Sequence, residues 1–474
     1  MTPLLELAMI RLKDGEIELA EDAIDAAERD GEPPALVEQL RGRIQMRQRR
    51  WLDAFDRFQK SLAMEPDDFN THLLLGMAAY ELGHFNLAAE HYNECILRQP
   101  GWGKPWLKLG ASHAMMERHA DALACFERAL RLTPDDPEVH QSYAMMLYCL
   151  GDNQGALHHY RKCQELEKDN VFGVMGEAAT LLRLGQWELG WDRFEARWHL
   201  PTPVAPWWYR GQPLYTGTIS GLRGKRVLLR SEQGYGDSIH FARYVPLLRE
   251  VAAHVIIETM GELKPLFDLA FPYAEIFVAP KMEEQVRPLH DSQLPPYDEQ
   301  TSLMSLPLLF GTTPDTIPPP VHFPIRQFKW KGQTGICWAG GPRRDEPMAN
   351  AVDRRRSMTR EQIQPIWDAC GRNVVSLQQD DLQSRHWLDT ANTVSMLDLV
   401  ITVDTAMAHL AGSLGIETWL MNRFDACWRW FPQADTTPWY PSMRIFNQRW
   451  LGDWDGVIRN VVKELRAREK ASAN

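Results

Sequence analysis

The sequence predicts a protein of class α + α/β, an α-helical solenoid followed by a two-lobed α/β region. Three observations predict it. Residues 1–204 repeat themselves at a spacing of 34, a proline- and tryptophan-rich passage breaks the repeat, and apolar strand-like runs then alternate with helical patterns in two successive blocks. Four segments follow from this: a repeat array over 1–204, a connector over 205–223, a first α/β lobe over 224–322 and a second over 323–474.

The array is legible in three columns at that spacing. One reads Ala8, Gly42, Gly76, Gly110, Ala144, Ala178; a second reads Ala20, Ala54, Ala88, Ala122, Ala156, Gly190; a third reads Ile24, Phe58, Tyr92, Phe126, Tyr160, Phe194. Small residues let antiparallel helices approach closely, and the aromatic is expected to fill the gap against the next pair. Gly15, Gly83, Gly151 and Gly185 mark turns within repeats, and Pro66, Pro100 and Pro134 close them. From Trp198 to Gly224 the periodicity stops and the chain holds Pro201, Pro203, Pro206, Trp207, Trp208, Tyr209, Gly211, Pro213 and Gly217, residues that stop a helix and whose aromatics are expected to glue the last repeat to the next lobe rather than recognise a sugar.

Bulk properties narrow the function. A net charge of -11 argues against a nucleic-acid partner, whose phosphates favour a basic surface. No run is long and apolar enough for a transmembrane segment and the N-terminus lacks a signal-peptide pattern, so a cytoplasmic protein is expected. The seven cysteines show no ligand spacing and are expected to be buried, reduced thiols rather than disulfides or zinc ligands.

In the first lobe, strands are expected over 225–230, 254–258 and 275–278, with helices over 240–251 and 263–271. Pro318-Pro319-Pro320 closes the lobe, and the second brings strands over 334–338, 374–377, 397–403 and 417–421, with helices over 408–414 and 454–469. Strands alternating with helices build parallel sheets, and ligands of such sheets sit at the carboxyl ends of strands. Three segments fall there: Ser231 to Asp237 with Gly234 and Gly236, the pair Gly340-Gly341, and Asp404 to His409. A ligand cleft between the lobes is therefore expected.

Residues 103–136, with Trp106, Leu109, Gly110, Ala122, Phe126, Ala129 and Pro134, resemble a tetratricopeptide repeat, and the array is read as six such units with degenerate ends. Such arrays commonly bind extended peptides on a concave face. Residues 224–467 resemble the GT-B glycosyltransferases, in particular the heptosyltransferase-like proteins. The residues that carry this are Glu232 to Tyr244, Ser302-Leu303-Met304-Ser305-Leu306-Pro307, Cys337 to Gly340, Arg356-Ser357, Leu399 to Gly412, Trp428-Arg429-Trp430 and Pro438 to Arg444. The chain departs from that pattern in a short segment between Gln378 and Asp404, in Glu299-Gln300, and in Asn422-Arg423.

The resemblance implies a protein that moves a sugar from a nucleotide sugar to a protein or glycan acceptor, inverting and without a metal or cofactor. It makes Asp237 the expected catalytic base; read from the residues alone, Asp237 is equally an N-cap for the helix behind it. His240, three residues on, is either a polar anchor in the cleft or a satisfied interface histidine. Asp404, Thr405, Ala406 and Met407 open a helix whose amides suit a diphosphate, while Asp404 is open to the same cap reading and His409 either faces the leaving group or packs under the loop. Arg356 and Ser357 are candidate phosphate ligands, and Gln378 a candidate for the base or ribose. Gly234, Gly236, Gly340 and Gly341 make room in the cleft loops. Asp453-Trp454-Asp455 has the look of an acidic metal-binding triplet but sits at a helix start, where acidic residues serve the dipole. The competing reading is a non-catalytic scaffold whose repeats do the binding.

Overall fold

The computed structural model describes residues 3–200, 214–278, 294–326, 332–341, 343, 347–431 and 433–473. They form two compact units, one made of Met1–Met146, Glu165–Lys168 and Arg343–Ala351, the other of Leu147–Gln164, Asp169–Pro342 and Val352–Asn474.

The first unit is built of antiparallel helix pairs: Pro3–Asp14 with Ile17–Arg29, Pro34–Arg47 with Trp51–Met64, Phe69–Glu81 with Phe85–Arg98, and Gly103–Met115 with His119–Leu132. The repeating columns are its packing rule. The aromatic lies over the small residue of its own pair and also packs against the next pair, as Phe58 does with Leu74, Leu75 and Ala78. A Cβ on Gly42 would stand 2.5 Å from Phe58, on Gly76 2.6 Å from Tyr92 and on Gly110 2.7 Å from Phe126. Hydrogen removes the one atom that would hold the helices apart. The turn inside each pair needs a left-handed residue: Gly15, Gly83, Gly151 and Gly185 supply it, while Arg49 and Glu117 adopt φ of 58° and 62° at the same repeat position.

The second unit holds the later helices Val171–Arg183 and Trp187–Phe194 and all but the last two residues of Asn153–Leu166, together with two parallel sheets. Strands β1 (Arg226–Arg230), β2 (His254–Thr259), β3 (Glu275–Val278) and β4 (Glu299–Ser302) form the first, in the order β3-β2-β1-β4. Strands β5 (Thr334–Cys337), β6 (Val374–Ser376), β7 (Leu399–Val403), β8 (Thr418–Asn422) and β9 (Met443–Asn447) form the second, in the order β6-β5-β7-β8-β9. Among the described residues, β4 and β9 are the strands not expected, and the others lie where they were placed. The β4 stretch reads Glu-Gln-Thr-Ser, and two of its three buried polar side chains have buried partners: Gln300 accepts from Arg230 Nε at 2.7 Å, and Ser302 donates to Glu232.

Both faces of the second sheet are covered, as a parallel sheet requires. Ile336, Leu399, Ile401, Trp419 and Met421 pack with Trp454, Val457 and Val461 of the C-terminal helix, while Val400, Leu420 and Ile445 join the main core with Leu410 and Ala411.

The last repeat belongs to the same core. Trp187 stacks on Trp439 at 5.3 Å and 14°, and Trp191 meets Trp428 edge-on at 5.1 Å while donating from Nε1 to the Thr312 carbonyl at 3.0 Å. The connector residues expected to provide this glue, Pro201 to Pro213 with Trp207, Trp208 and Tyr209, lie outside the described residues. None of the seven cysteines is in a disulfide, and among the described residues no helix is long and apolar enough to cross a membrane.

Candidate active site

The loop after β1 turns at Gln233, whose φ of 60° is left-handed without a glycine, and the helix Tyr235–Phe241 follows. It begins five residues earlier than expected, and this changes the reading of Asp237. The N-cap is Gly234; Asp237 lies in the first turn, where its Oδ2 accepts from the Gly234 amide at 3.3 Å. Its Oδ1 accepts from Arg429 Nη2 at 2.7 Å, with side-chain exposures of 23% for Asp237 and 11% for Arg429. The carboxylate is thus neutralised on one side and still reaches solvent.

Arg429 is held between the rings of Trp428 and Phe241, at 4.6 and 5.3 Å, and its Nη1 points to Cys427 Sγ at 3.0 Å. Burial alone would lower this guanidinium, but the Cys427 sulphur and the Asp237 carboxylate beside it outweigh burial and hold it above the ordinary arginine value.

The helix Ala406–Ser413 opens at the carboxyl end of β7, two residues before the expected start. Thr405, not Asp404, occupies its N-cap position, so Asp404 stands one residue outside the helix. The Met407 side chain is buried in the core, which leaves its backbone amide as the part of it available to a ligand. Gly236 is where this helix meets the first sheet's loop: a Cβ there would lie 2.9 Å from His409 Cδ2 and 3.1 Å from Ala406 Cα. Gly234, by contrast, has only Asp237 Oδ2 near its Cβ position, at 3.7 Å.

At the same edge of the second sheet, Arg356 lies across Gly340, whose Cβ position is 3.2 Å from Arg356 Nη2. Arg356 pairs with Asp353 at 2.7 Å and reaches the Asp404 carbonyl at 3.5 Å, while its Nε is buried without a partner. Ser357 Oγ accepts from the Gly340 amide at 3.2 Å. Gln378 Oε1 accepts from Cys337 Sγ at 3.3 Å, and that sulphur lies 3.9 Å from Thr405 Oγ1. Burial raises the Cys337 thiol, so it remains a neutral donor. Gly340, Arg356, Ser357, Gln378, Asp404 and Thr405 therefore converge, whereas Gly341 faces open space.

His240 and His409 do not face solvent. Both bond through Nδ1 to the Tyr440 hydroxyl, at 2.9 and 3.0 Å. One hydroxyl can donate to one imidazole nitrogen and accept from the other, so the two rings carry opposite Nδ1 protonation. Burial first, then the neighbouring Arg243 and Arg429, push both histidines well below the ordinary imidazole value. Trp430 stacks on His409 at 5.2 Å, and Trp439 covers His240 at 4.5 Å. His240 has no exposed surface and is only half satisfied, its Nδ1 bonded to Tyr440 and its Nε2 buried without a hydrogen-bond partner; His409 packs under the loop.

Two arginines that dominate this site carry no signal of their own in the sequence. Arg429 falls inside the Trp428-Arg429-Trp430 motif without a role, and Arg423 stands out only as a departure from the family pattern. Arg423 lies within electrostatic reach of Asp404 as well as Asp425, and these carboxylates keep it above the ordinary value despite burial, the largest influence on it. Asp453 serves the final helix: it accepts from Arg449 at 2.8 Å and from the Gly456 amide at 3.0 Å. A groove of about 750 Å³ lined by Pro365, Ile458, Val462, Arg459, Lys463 and Arg466 runs along that helix and takes in none of the predicted site residues.

The tetratricopeptide repeat models match residues 40–102 and 103–136. The N-terminal array is built of tetratricopeptide repeats. Protein FlbA of Caulobacter vibrioides is 24% identical over 449 residues, covering 85% of this chain and 73% of that protein, so the likeness extends beyond the repeats. The tetratricopeptide repeat-containing protein trd-1 of Caenorhabditis elegans is 23% identical over 146 residues, 30% of this chain and 19% of that one. Among solved structures, a thermophilic TPR protein of Thermus thermophilus covers 38% of this chain and 97% of its own at 19% identity, with a TM-score of 0.34. A crystal structure of MamA matches at 17% identity, covering 33% of this chain and 91% of that one with a TM-score of 0.29.

Proposed function

We propose that the α/β part is a GT-B-like glycosyltransferase that moves a sugar from a nucleotide sugar to a protein or glycan acceptor selected by the repeat array. The observation that carries this reading is the convergence of Gly340, Arg356, Ser357, Asp404 and Thr405 at the carboxyl edge of the second sheet, beside the Gly236–Asp237 turn of the first. Arg356, with a buried unpartnered Nε, and the amides opening the 406–413 helix suit the diphosphate of a donor. Across from them, Asp237 accepts the proton of an acceptor hydroxyl as its oxygen attacks the anomeric carbon. The bond from that carbon to the diphosphate oxygen breaks, and the nucleoside diphosphate leaves with the electron pair. Attack on the face opposite the leaving group inverts the anomeric centre. In this reading Arg429 keeps Asp237 aimed, and no metal is required.

One observation favours the second reading, a repeat scaffold without catalysis: both oxygens of Asp237 already have structural partners. A thermal-shift panel of nucleotides and nucleotide sugars separates the two, because a ligand that binds only the folded state raises the melting temperature. The enzyme reading predicts a shift with at least one nucleotide sugar and turnover that survives exhaustive EDTA treatment. The scaffold reading predicts no shift with any of them, and activity lost to EDTA and restored by manganese contradicts the metal-free assignment.

A further inference from the structure

The last repeat holds both halves of the Asp237–Arg429 pair. Arg197, at a position where a repeat normally carries a small residue, has no exposed side-chain surface, and neither has its partner Glu232. The contact is a fork: Arg197 Nε donates to Glu232 Oε2 at 2.9 Å and Nη2 to Oε1 at 2.8 Å. Nη2 also donates to Ser305 Oγ at 2.8 Å, and Ser302 donates to the same carboxylate. The guanidinium is packed against Trp198 and Phe194, 4.5 and 4.7 Å from their ring centres. Glu232 directly precedes Gln233, the residue forced into a left-handed turn, and Gly234, whose amide binds Asp237, comes next. A non-glycine residue in that conformation persists only where its surroundings hold it.

The other half is gripped from the same repeat. Arg183 Nη2 donates to the Ala426 carbonyl at 2.6 Å and Nη1 to the Tyr148 carbonyl at 2.7 Å, with its guanidinium 3.9 Å over the Tyr148 ring. Ala426 is three residues before Arg429 on the loop that delivers it.

We infer that the sixth repeat is a built-in part of the site, with Arg197 and Arg183 as positioning residues that fix the Asp237 and Arg429 loops relative to each other. What the positioned pair does rests on the glycosyltransferase reading; that it is positioned by the repeat does not. The terminal repeat is then not a detachable tether, and it is needed for turnover even with an acceptor too small to reach the other repeats.

The full-length chain is compared with Arg197→Lys and with the double variant Arg197→Met/Glu232→Met, which removes both fully buried charges and leaves Glu195, the other carboxylate on Arg197, partly exposed and still bonded by Trp198 and Ser305. Hydrogen–deuterium exchange is read over 231–241 and over 454–473, and turnover of the nucleotide sugar that gives the largest thermal shift is measured. The inference predicts exchange about tenfold faster or more over 231–241 with 454–473 unchanged. Where the wild type is active, it predicts kcat lowered about tenfold or more with KM for the donor within about twofold. Unchanged exchange over 231–241, an equal rise in both segments, or an unchanged kcat overturns it. A wild type that neither binds nor turns over any nucleotide sugar refutes the glycosyltransferase reading, and the exchange comparison still decides the positioning role.

Discussion

At the scale of single residues, the Asp237–Arg429 contact is the feature on which stability and chemistry meet. Replacing Asp237 by Asn leaves the mostly buried Arg429 without its carboxylate, so a loss of about 2 kcal/mol is expected in denaturant unfolding. Replacing both, as Asp237→Asn/Arg429→Met, is expected to recover most of that loss without restoring the proposed transfer, because the stranded charge is gone and the proposed base is still missing. A double variant no more stable than the single one contradicts the pairing argument. Asp237 is legible in the sequence because it follows Gly-Tyr-Gly after an apolar run. Arg429 is not, because the contact joins residues 192 apart and nothing in its own neighbourhood announces the partner. His240 misleads for a related reason: helical spacing places it near Asp237, but spacing does not say that Tyr440 and Trp439 close over it.

At the scale of elements, two glycine arguments give opposite predictions. Gly236→Ala drives a methyl against the Ala406 backbone and the His409 ring, and overpacking of this kind costs about 1–3 kcal/mol. A lowered melting temperature together with weakened nucleotide-sugar binding is expected; binding at wild-type affinity denies that the two loops share a site. Arg49→Gly and Glu117→Gly act the other way. Each relieves a left-handed non-glycine residue where sister repeats have glycine, and a gain of about 0.5–1 kcal/mol apiece is expected in unfolding experiments. The repeat helices and most of the strands are legible because apolar period carries them. The strand β4 is hidden because its buried residues are polar and its neighbours are prolines; only the partners Arg230 and Glu232 make it a strand interior.

At the scale of the whole molecule, buried neutral histidines set the pH range of stability. His240 and His409 are pushed well below the ordinary value by burial and neighbouring arginines, and His91 is pushed down to about 4 by burial and by His72. The folded state then binds fewer protons than the unfolded chain, so this stability is complete above an unfolded value of about 6.5 and falls as pH drops below it. Each fully buried histidine contributes a slope of about 1 kcal/mol per pH unit in that range. Melting temperatures that decline from about pH 7 to about pH 5 are expected, and a flat profile contradicts the neutral assignments. The division of the chain is only half legible: repeats and sheets are separable by pattern, but Trp187, Trp191 and Arg183, which fuse the last repeat to the sheets, sit within ordinary repeat periodicity, and only Arg197, in place of a small residue, carries a local mark.

The proposed activity of this fused unit is the transfer of sugar from a nucleotide donor. It is tested most directly by the rate of nucleoside diphosphate release from the nucleotide sugar that gives the largest thermal shift, measured for the wild type and for Asp237→Ala at matched donor saturation. Release by the wild type and a fall of about a hundredfold or more in Asp237→Ala, with donor affinity retained, are expected. No release from any donor, or equal rates for the two proteins, contradicts it.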